Sequence, residues 1–155
     1  MAFFFGEFEQ TIDPKRRLAI SAGLRELIDV KQDGANFILV LGPDRHLWLY
    51  PDVYYRRMMA SMKRSPLPSR QQRNMDLLFA MARLLKPDSQ GRVVIPEQSM
   101  QRAVISDRVT LVGINDHIEI WPADSWSTRV EAGLATYGDM LYEAAEKLNE
   151  EASPK

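Results

Sequence analysis

The chain has 155 residues, room for one or two small domains, and its 45% hydrophobic and 26% charged content is that of a soluble globular protein. It has no cysteine, which excludes disulfides, thiol nucleophiles and thiolate metal sites, and no apolar run of membrane-spanning length. The formal net charge of −1 speaks against a uniformly basic nucleic-acid binder, yet residues 1–86 carry 14 Lys/Arg against 9 Asp/Glu while residues 87–155 carry 6 against 12.

In chain order, the apolar start at residues 2–5 lacks the architecture of a signal peptide, so a reducing cytoplasm is the expected compartment. Residues 5–12 alternate, with Phe8, Gln10 and Ile12 on one side and Glu7, Glu9 and Thr11 on the other, a strand pattern. Asp13 and Pro14 suit the first two positions of a type I turn, and residues 17–20 return as a strand, so 5–20 reads as a β-hairpin. Residues 24–30 form a short helical turn starting near Ser21. Residues 37–41 and 46–50 are strands around Gly42-Pro43-Asp44. Pro51 opens a helix, where its missing N–H is harmless, and Val53, Met58, Met59 and Met62 are its apolar groups. Ser65-Pro66-Leu67-Pro68-Ser69 breaks that helix and is the linker. A second helix is predicted over 70–81, with Met75, Leu78, Phe79 and Ala82 as its buried stripe.

The cycle then restarts. Residues 83–87 are a strand, 88–91 a turn, 92–95 a return strand and 96–104 a short helical stretch. Residues 109–113 and 117–121 are strands, Pro122 opens a helix to about residue 132, and a last helix at 136–150 carries Met140, Leu141, Ala144 and Leu148 before a frayed end. Two landmarks mark the repetition. Asp13-Pro14-Lys15-Arg16-Arg17 followed by Leu18-Ala19-Ile20 answers Asp88-Ser89-Gln90-Gly91-Arg92 followed by Val93-Val94-Ile95. Residues 41–51 align without gaps on 112–122, His46 on His117 and Pro51 on Pro122. The chain is therefore one unit duplicated. Boundaries follow at 5–64 for the first repeat, 65–82 for linker and helix, 83–132 for the second repeat, and 133–155 for the C-terminal helix and tail. Each repeat is too short to bury a core alone, so the halves are expected to share one.

The second turn has a direct rationale. Asp88 can accept backbone N–H groups across the turn, and Gly91 can take the left-handed conformation of a short hairpin loop. The same Asp can brace Arg92, making a probe for phosphates or guanine edges; Asp13 and Arg17 repeat the arrangement. A single Asp–Arg pair near a turn is commonly a local staple. Duplication and the added charges of Lys15 and Arg16 favour binding, alongside the basic pairs Arg56-Arg57 and Lys63-Arg64. Arg16 stands where the second copy has Gly91. Either the first turn differs, or a left-handed cost of about 1 kcal/mol is tolerated for the charge.

These landmarks resemble the MraZ family, which carries two AbrB-like (SpoVT-AbrB) units in one chain. The carriers are Phe5-Gly6-Glu7-Phe8, Asp13 with Arg17, Leu47-Trp48-Leu49-Tyr50-Pro51, Asp88-Ser89-Gln90-Gly91-Arg92 with Ile95-Pro96, and Leu111-Val112-Gly113 with Ile118-Glu119-Ile120-Trp121. They span about residues 3–130. The resemblance implies an α+β fold of duplicated AbrB-like β-hairpin units with pseudo-twofold symmetry, plus packing helices. It implies a cytoplasmic, nucleoid-associated transcriptional regulator that binds double-stranded DNA at short promoter repeats upstream of the cell-division and cell-wall gene cluster. It also implies a ring-like homo-oligomer whose turns supply Arg17 and Arg92 to DNA, joined by Lys15, Arg16 and Gln90, with Asp13, Asp88 and Gly91 shaping the turns. Arg16 in place of the family's usual Gly, and Ser21 where a Pro is common, are departures confined to the first copy.

No catalytic constellation emerges. His46 and His117 occupy equivalent positions without a carboxylate pair or third histidine at metal-ligand spacing, and they read as structural. No Gly-rich phosphate loop or nucleophile elbow occurs, so neither enzyme activity, metal nor cofactor is expected. The competing reading is an oligomeric protein-interaction scaffold, with Phe3-Phe4-Phe5 and the 53–62 helix as subunit contacts.

Overall fold

A computed structural model describes residues 1–62 and 66–153 and divides the chain into two compact units, Met1–Pro122 and Ala123–Lys155. The basic pair Lys63-Arg64, the linker's first residue Ser65, and the end of the tail lie outside the described residues. The first unit holds β1 (Glu7–Thr11), β2 (Arg17–Ala19), α1 (Ala22–Arg25), α2 (Val30–Asp33), β3 (Phe37–Leu41), β4 (Leu47–Pro51), α3 (Asp52–Ala60), α4 (Arg70–Asn74) and α5 (Asp76–Ala80). It continues with β5 (Arg83–Leu85), β6 (Arg92–Val94), α6 (Glu97–Ala103), β7 (Arg108–Ile114) and β8 (His117–Pro122). The second unit is the helix pair α7 (Ala123–Leu134) and α8 (Tyr137–Ala152).

The duplication predicted from sequence is the symmetry of the sheet. Its order is β1-β7-β8-β4-β3-β5, antiparallel throughout the named pairings. Exchanging the copies turns β1 into β5, β3 into β7 and β4 into β8, which reads the same order backwards. The pseudo-twofold axis passes between β4 and β8, where Trp48 faces Glu119 and the equivalent positions Leu47 and Ile118 meet Ile120 and Leu49. A second sheet pairs β2 with β6, and there the axis passes through the Leu18–Val93 pair.

Strand alternation explains the core. Leu39, Leu47, Leu49, Leu111, Ile118 and Ile120 turn to one face of the large sheet, where they cluster with Leu18, Ile20, Leu24, Val93 and Ile95. Both copies feed this one cluster, as their individual sizes require. Phe4 enters it while Phe3 and Phe5 stay exposed, so only one of the three N-terminal phenylalanines is core. On the opposite sheet face, Ile38, Val40, Tyr50 and Tyr55 form a smaller cluster under α3.

Three sequence expectations change. Residues 5–20 are a hairpin at the turn and not in the arms: β1 pairs with β7, and β2 pairs with β6. Ile12 N–H already donates to the Asp107 carbonyl, so the first arm has left before the turn begins. The helix over 70–81 is two short helices interrupted at Met75, which has φ −96° and ψ 0°. Half of its predicted buried stripe is open to solvent: Leu78 and Phe79 are exposed, Met75 is half-buried and lines a groove with Phe79, Met59 and Met62, and Ala82 packs on the smaller cluster. Five-residue helices are too short to present a continuous apolar stripe to a core. Finally, α2 is a helix that the sequence reading missed, capped by Asp29, whose side chain accepts from the N–H groups of Lys31 and Gln32.

A candidate nucleic-acid interface at the twin turns

Both Asp–Arg turns are built alike, to within a few tenths of an ångström. In the first, Asp13 Oδ1 accepts from the N–H groups of Lys15 (2.9 Å) and Arg17 (2.8 Å), and Oδ2 accepts from Arg17 Nε (2.6 Å). In the second, Asp88 Oδ1 accepts from Gln90 N–H (2.8 Å) and Arg92 N–H (2.9 Å), and Oδ2 from Arg92 Nε (2.9 Å). The backbone closes each loop, Asp13 N–H to the Arg17 carbonyl and Asp88 N–H to the Arg92 carbonyl. Each carboxylate thus accepts two backbone N–H groups and one guanidinium Nε within its own turn. The backbone N–H of Arg17 and of Arg92 leads in holding Asp13 and Asp88 below the usual carboxylate range, and each guanidinium adds to it.

Arg16 resolves the question left open by its place in the turn. It adopts φ +63° against +74° for Gly91, so the two turns share one shape and the left-handed cost is borne. Its Nε donates to the Ile95 carbonyl (3.1 Å). Lys15 and Gln90 are exposed at the two tips.

The ribbon brings the two arginines together. Arg17 pairs with Val94 and Arg92 with Ala19, so alternation puts Arg17, Ala19, Arg92 and Val94 on one face, and Leu18 and Val93 on the other. Leu18 and Val93 are fully buried, while Arg17, Ala19 and Arg92 on the other face are partly exposed and Val94 is half exposed. Each Nε is held by its Asp, which leaves the terminal guanidinium nitrogens without a partner among the described residues. The result is a two-stranded ribbon with two pre-oriented, forked donors, and a major groove admits such a ribbon.

The histidines sit elsewhere, at the β4–β8 seam. His117 stacks on Trp48 with ring centroids 3.9 Å apart, and His46 lies against Trp121 at 3.8 Å. The sequence reading placed no carboxylate pair beside them; His117 in fact lies between Asp116 (2.8 Å) and Glu119 (2.7 Å). A period of two on β8 puts Glu119 on the same face as His117, and that alternation was the available signal. Tyr54 OH donates to Asp116 and Trp121 Nε1 to Glu119, which completes a partly buried polar network around His117. Burial opposes a charge on His117, but the bonds to Glu119 and Asp116 outweigh it and raise its pKa. Burial likewise opposes the charges on Asp116 and Glu119, yet the bonds to His117 hold both carboxyls low. Among the described residues no three His, Cys, Asp or Glu side chains converge as a metal site. No helix among them is long and apolar enough to cross a membrane.

Arg25 is the residue of this region that sequence reasoning missed. It stands on α1, outside both turns, and its Nε donates to the Ile20 carbonyl (2.8 Å). Its signal was the Arg-for-Gly difference between the copies at position 16, which calls for a counterpart elsewhere.

Fold and turns together define a class: an α+β protein of two tandem units, joined about a pseudo-twofold axis, that offers one Asp-braced Arg per unit on a shared ribbon. The family model described as "MraZ protein, putative antitoxin-like" matches twice in succession, at residues 3–77 and 78–135. The chain belongs to the MraZ family. It is 36% identical over 130 residues to the "Transcriptional regulator MraZ" of Herpetosiphon aurantiacus, covering 83% of this chain and 87% of that protein. It is 33% identical over 138 residues to the protein of the same name from Lactiplantibacillus plantarum, covering 88% and 94%. With that of Heliobacterium modesticaldum it shares 32% identity over 146 residues, 94% of this chain and 96% of the other.

Proposed function

We propose that this chain is a sequence-specific, double-stranded-DNA-binding transcriptional regulator acting on short promoter repeats, its own upstream region among them, ahead of cell-division and cell-wall genes. One observation carries the reading: Arg17 and Arg92, each braced by an Asp, lie on the same solvent-facing side of the β2–β6 ribbon. Relatives named as transcriptional regulators support it. Arg17 and Arg92 read base edges or grip phosphates through their terminal nitrogens, and exposed Lys15 and Gln90 flank them at the tips. One ribbon offers few base contacts, so specific affinity calls for several ribbons in register, as in a closed homo-oligomer. Such an assembly works in the cytoplasm, at the nucleoid.

The test is a footprint on the DNA upstream of the chain's own coding sequence, taken across a salt series. Protection of evenly spaced repeats that fades steeply with salt is the expected result. Uniform protection of unrelated DNA, or none at low salt, rejects the proposal. The scaffold reading draws on the open groove lined by Met59, Met62, Met75 and Phe79. It predicts assembly that survives high salt without any protected DNA.

A further inference from the structure

Each turn takes a donor away from the β2–β6 ladder. A hydrogen-bonded antiparallel pair normally exchanges two N–H···O bonds. At the rung beyond Arg17, Ile95 N–H donates to the Arg16 carbonyl (2.9 Å), but Arg16 N–H turns back to the Asp13 carbonyl (2.9 Å). At the symmetric rung, Ile20 N–H donates to the Gly91 carbonyl (3.0 Å), and Gly91 N–H turns back to the Asp88 carbonyl (3.0 Å). The carbonyls of Ile95 and Ile20, in residues that are both buried, thus lose the donors that a regular ladder would supply.

An arginine Nε replaces each lost donor, and the two arginines come from different places. Arg16 reaches the Ile95 carbonyl from within its own turn. Arg25 reaches the Ile20 carbonyl from α1. Position 91, the counterpart of 16, is glycine, and a Cβ there would lie 2.8 Å from the Arg25 guanidinium carbon. Position 100, the counterpart of 25, is Met100, which packs against the core and lines a shallow recess with Arg16. So the first turn has Arg with Met opposite, and the second has Gly with Arg opposite. One guanidinium serves each strand end, and each space is filled once.

We propose that Arg16 and Arg25 are interchangeable positioning residues: each caps a strand-end carbonyl and so holds one Asp–Arg turn in shape, and Arg16 acts through Arg17 without touching DNA. This rests on the ribbon being the DNA face. It assigns Arg16 a different role from Lys15, its neighbour in the basic run. It also explains how a left-handed arginine is kept where glycine would be free of strain.

The test compares wild type, Arg16→Gly and the swap Arg16→Gly/Met100→Arg, which rebuilds the first turn on the second turn's plan. Each binds a duplex of the DNA upstream of the chain's own coding sequence over a salt series. Each is also followed without DNA by amide hydrogen exchange at Ile95. Arg16→Gly is expected to weaken binding roughly tenfold, the scale of one charge-assisted hydrogen bond, and to speed exchange at Ile95. The salt slope stays at its wild-type value, and the swap recovers both affinity and protection. A fall in slope of about 0.9 per lost phosphate contact, or a folded swap that recovers neither property, overturns the proposal. The reciprocal pair, Arg25→Met with Gly91→Arg, carries the same two-step test at Ile20 should the first swap fail to fold. A wild type that binds no such duplex while the exchange cycle behaves as expected rejects the DNA reading and leaves the carbonyl-capping exchange standing. Binding without the cycle does the reverse.

Discussion

Replacing Arg17 and Arg92 together by alanine tests the ribbon most directly. Each guanidinium has its Nε committed to Asp13 or Asp88, so what it presents outward is a fork of two terminal nitrogens. A bidentate contact of that kind with guanine discriminates by about 1–3 kcal/mol. If both arginines of one ribbon engage, the double variant loses about 2–6 kcal/mol, at least about thirtyfold in affinity. The two positions are separated along the ribbon by the two-residue step from Arg92 to Val94, roughly 7 Å, so some departure from additivity is expected. Neither side chain belongs to the core cluster, so circular dichroism should show an unchanged fold. The assay is binding to the upstream duplex and to an unrelated duplex of equal length, over a salt series. The double variant should lose most of its preference between the two. Lys15→Ala should instead weaken both alike and lower the salt slope by about 0.9 for its phosphate. A folded Arg17→Ala/Arg92→Ala chain that binds the upstream duplex as tightly as wild type refutes the ribbon as the reading surface.

Leu18 lies fully buried on the pseudo-twofold axis beneath the arginines, so Leu18→Ala should destabilise by about 2–5 kcal/mol. Thermal unfolding should then fall by roughly 4–20 °C, and an unchanged midpoint would remove Leu18 from the shared core. The His117 network gives stability a pH dependence. Its folded pKa is raised, so its contribution is complete below the unfolded value of about 6.5 and is lost as pH climbs through the raised value. Asp116 and Glu119 are lowered, so theirs is present above about pH 4 and is lost as pH falls through the lowered values. The difference in midpoint between wild type and His117→Gln should therefore be largest near about pH 6 and shrink in alkali; a gap that stays constant into alkali contradicts the ion-paired histidine. Light scattering should show an assembly larger than a monomer at micromolar concentration, and a lone monomer there would leave the several-ribbon account without support.

The duplication, the turns and the paired arginines were legible in the linear sequence because turn chemistry is local. An Asp four residues before an Arg, with a left-handed residue between, makes its bonds within five residues wherever the loop stands. In the structure, alternation buries Leu18 and Val93 and turns Arg17 and Arg92 to the other face, since side chains on a strand point to opposite faces in turn. Apolar pattern was less informative over 70–81. There the periodicity was helical, but periodicity does not say whether anything lies opposite, and the leucines and phenylalanine remain exposed.

What alternation cannot encode is the partner. A strand with one apolar face satisfies its ladder equally well against its own hairpin arm or against the other copy, and here the second arrangement holds: β2 joins β6, while β1 joins β7. That choice puts both arginines on one ribbon. The same choice sets the Ile20 and Ile95 carbonyls opposite turn residues whose N–H groups point back into their own loops, and it brings Arg16 to the Ile95 carbonyl. By itself, then, the sequence determined the turns, the repeat and the inward faces, because these depend on neighbours a few residues apart. Only the tertiary structure decided which strands meet and which side chain completes each unmet hydrogen bond, because those are settled between groups up to 79 residues apart that compete for the same buried donors and acceptors.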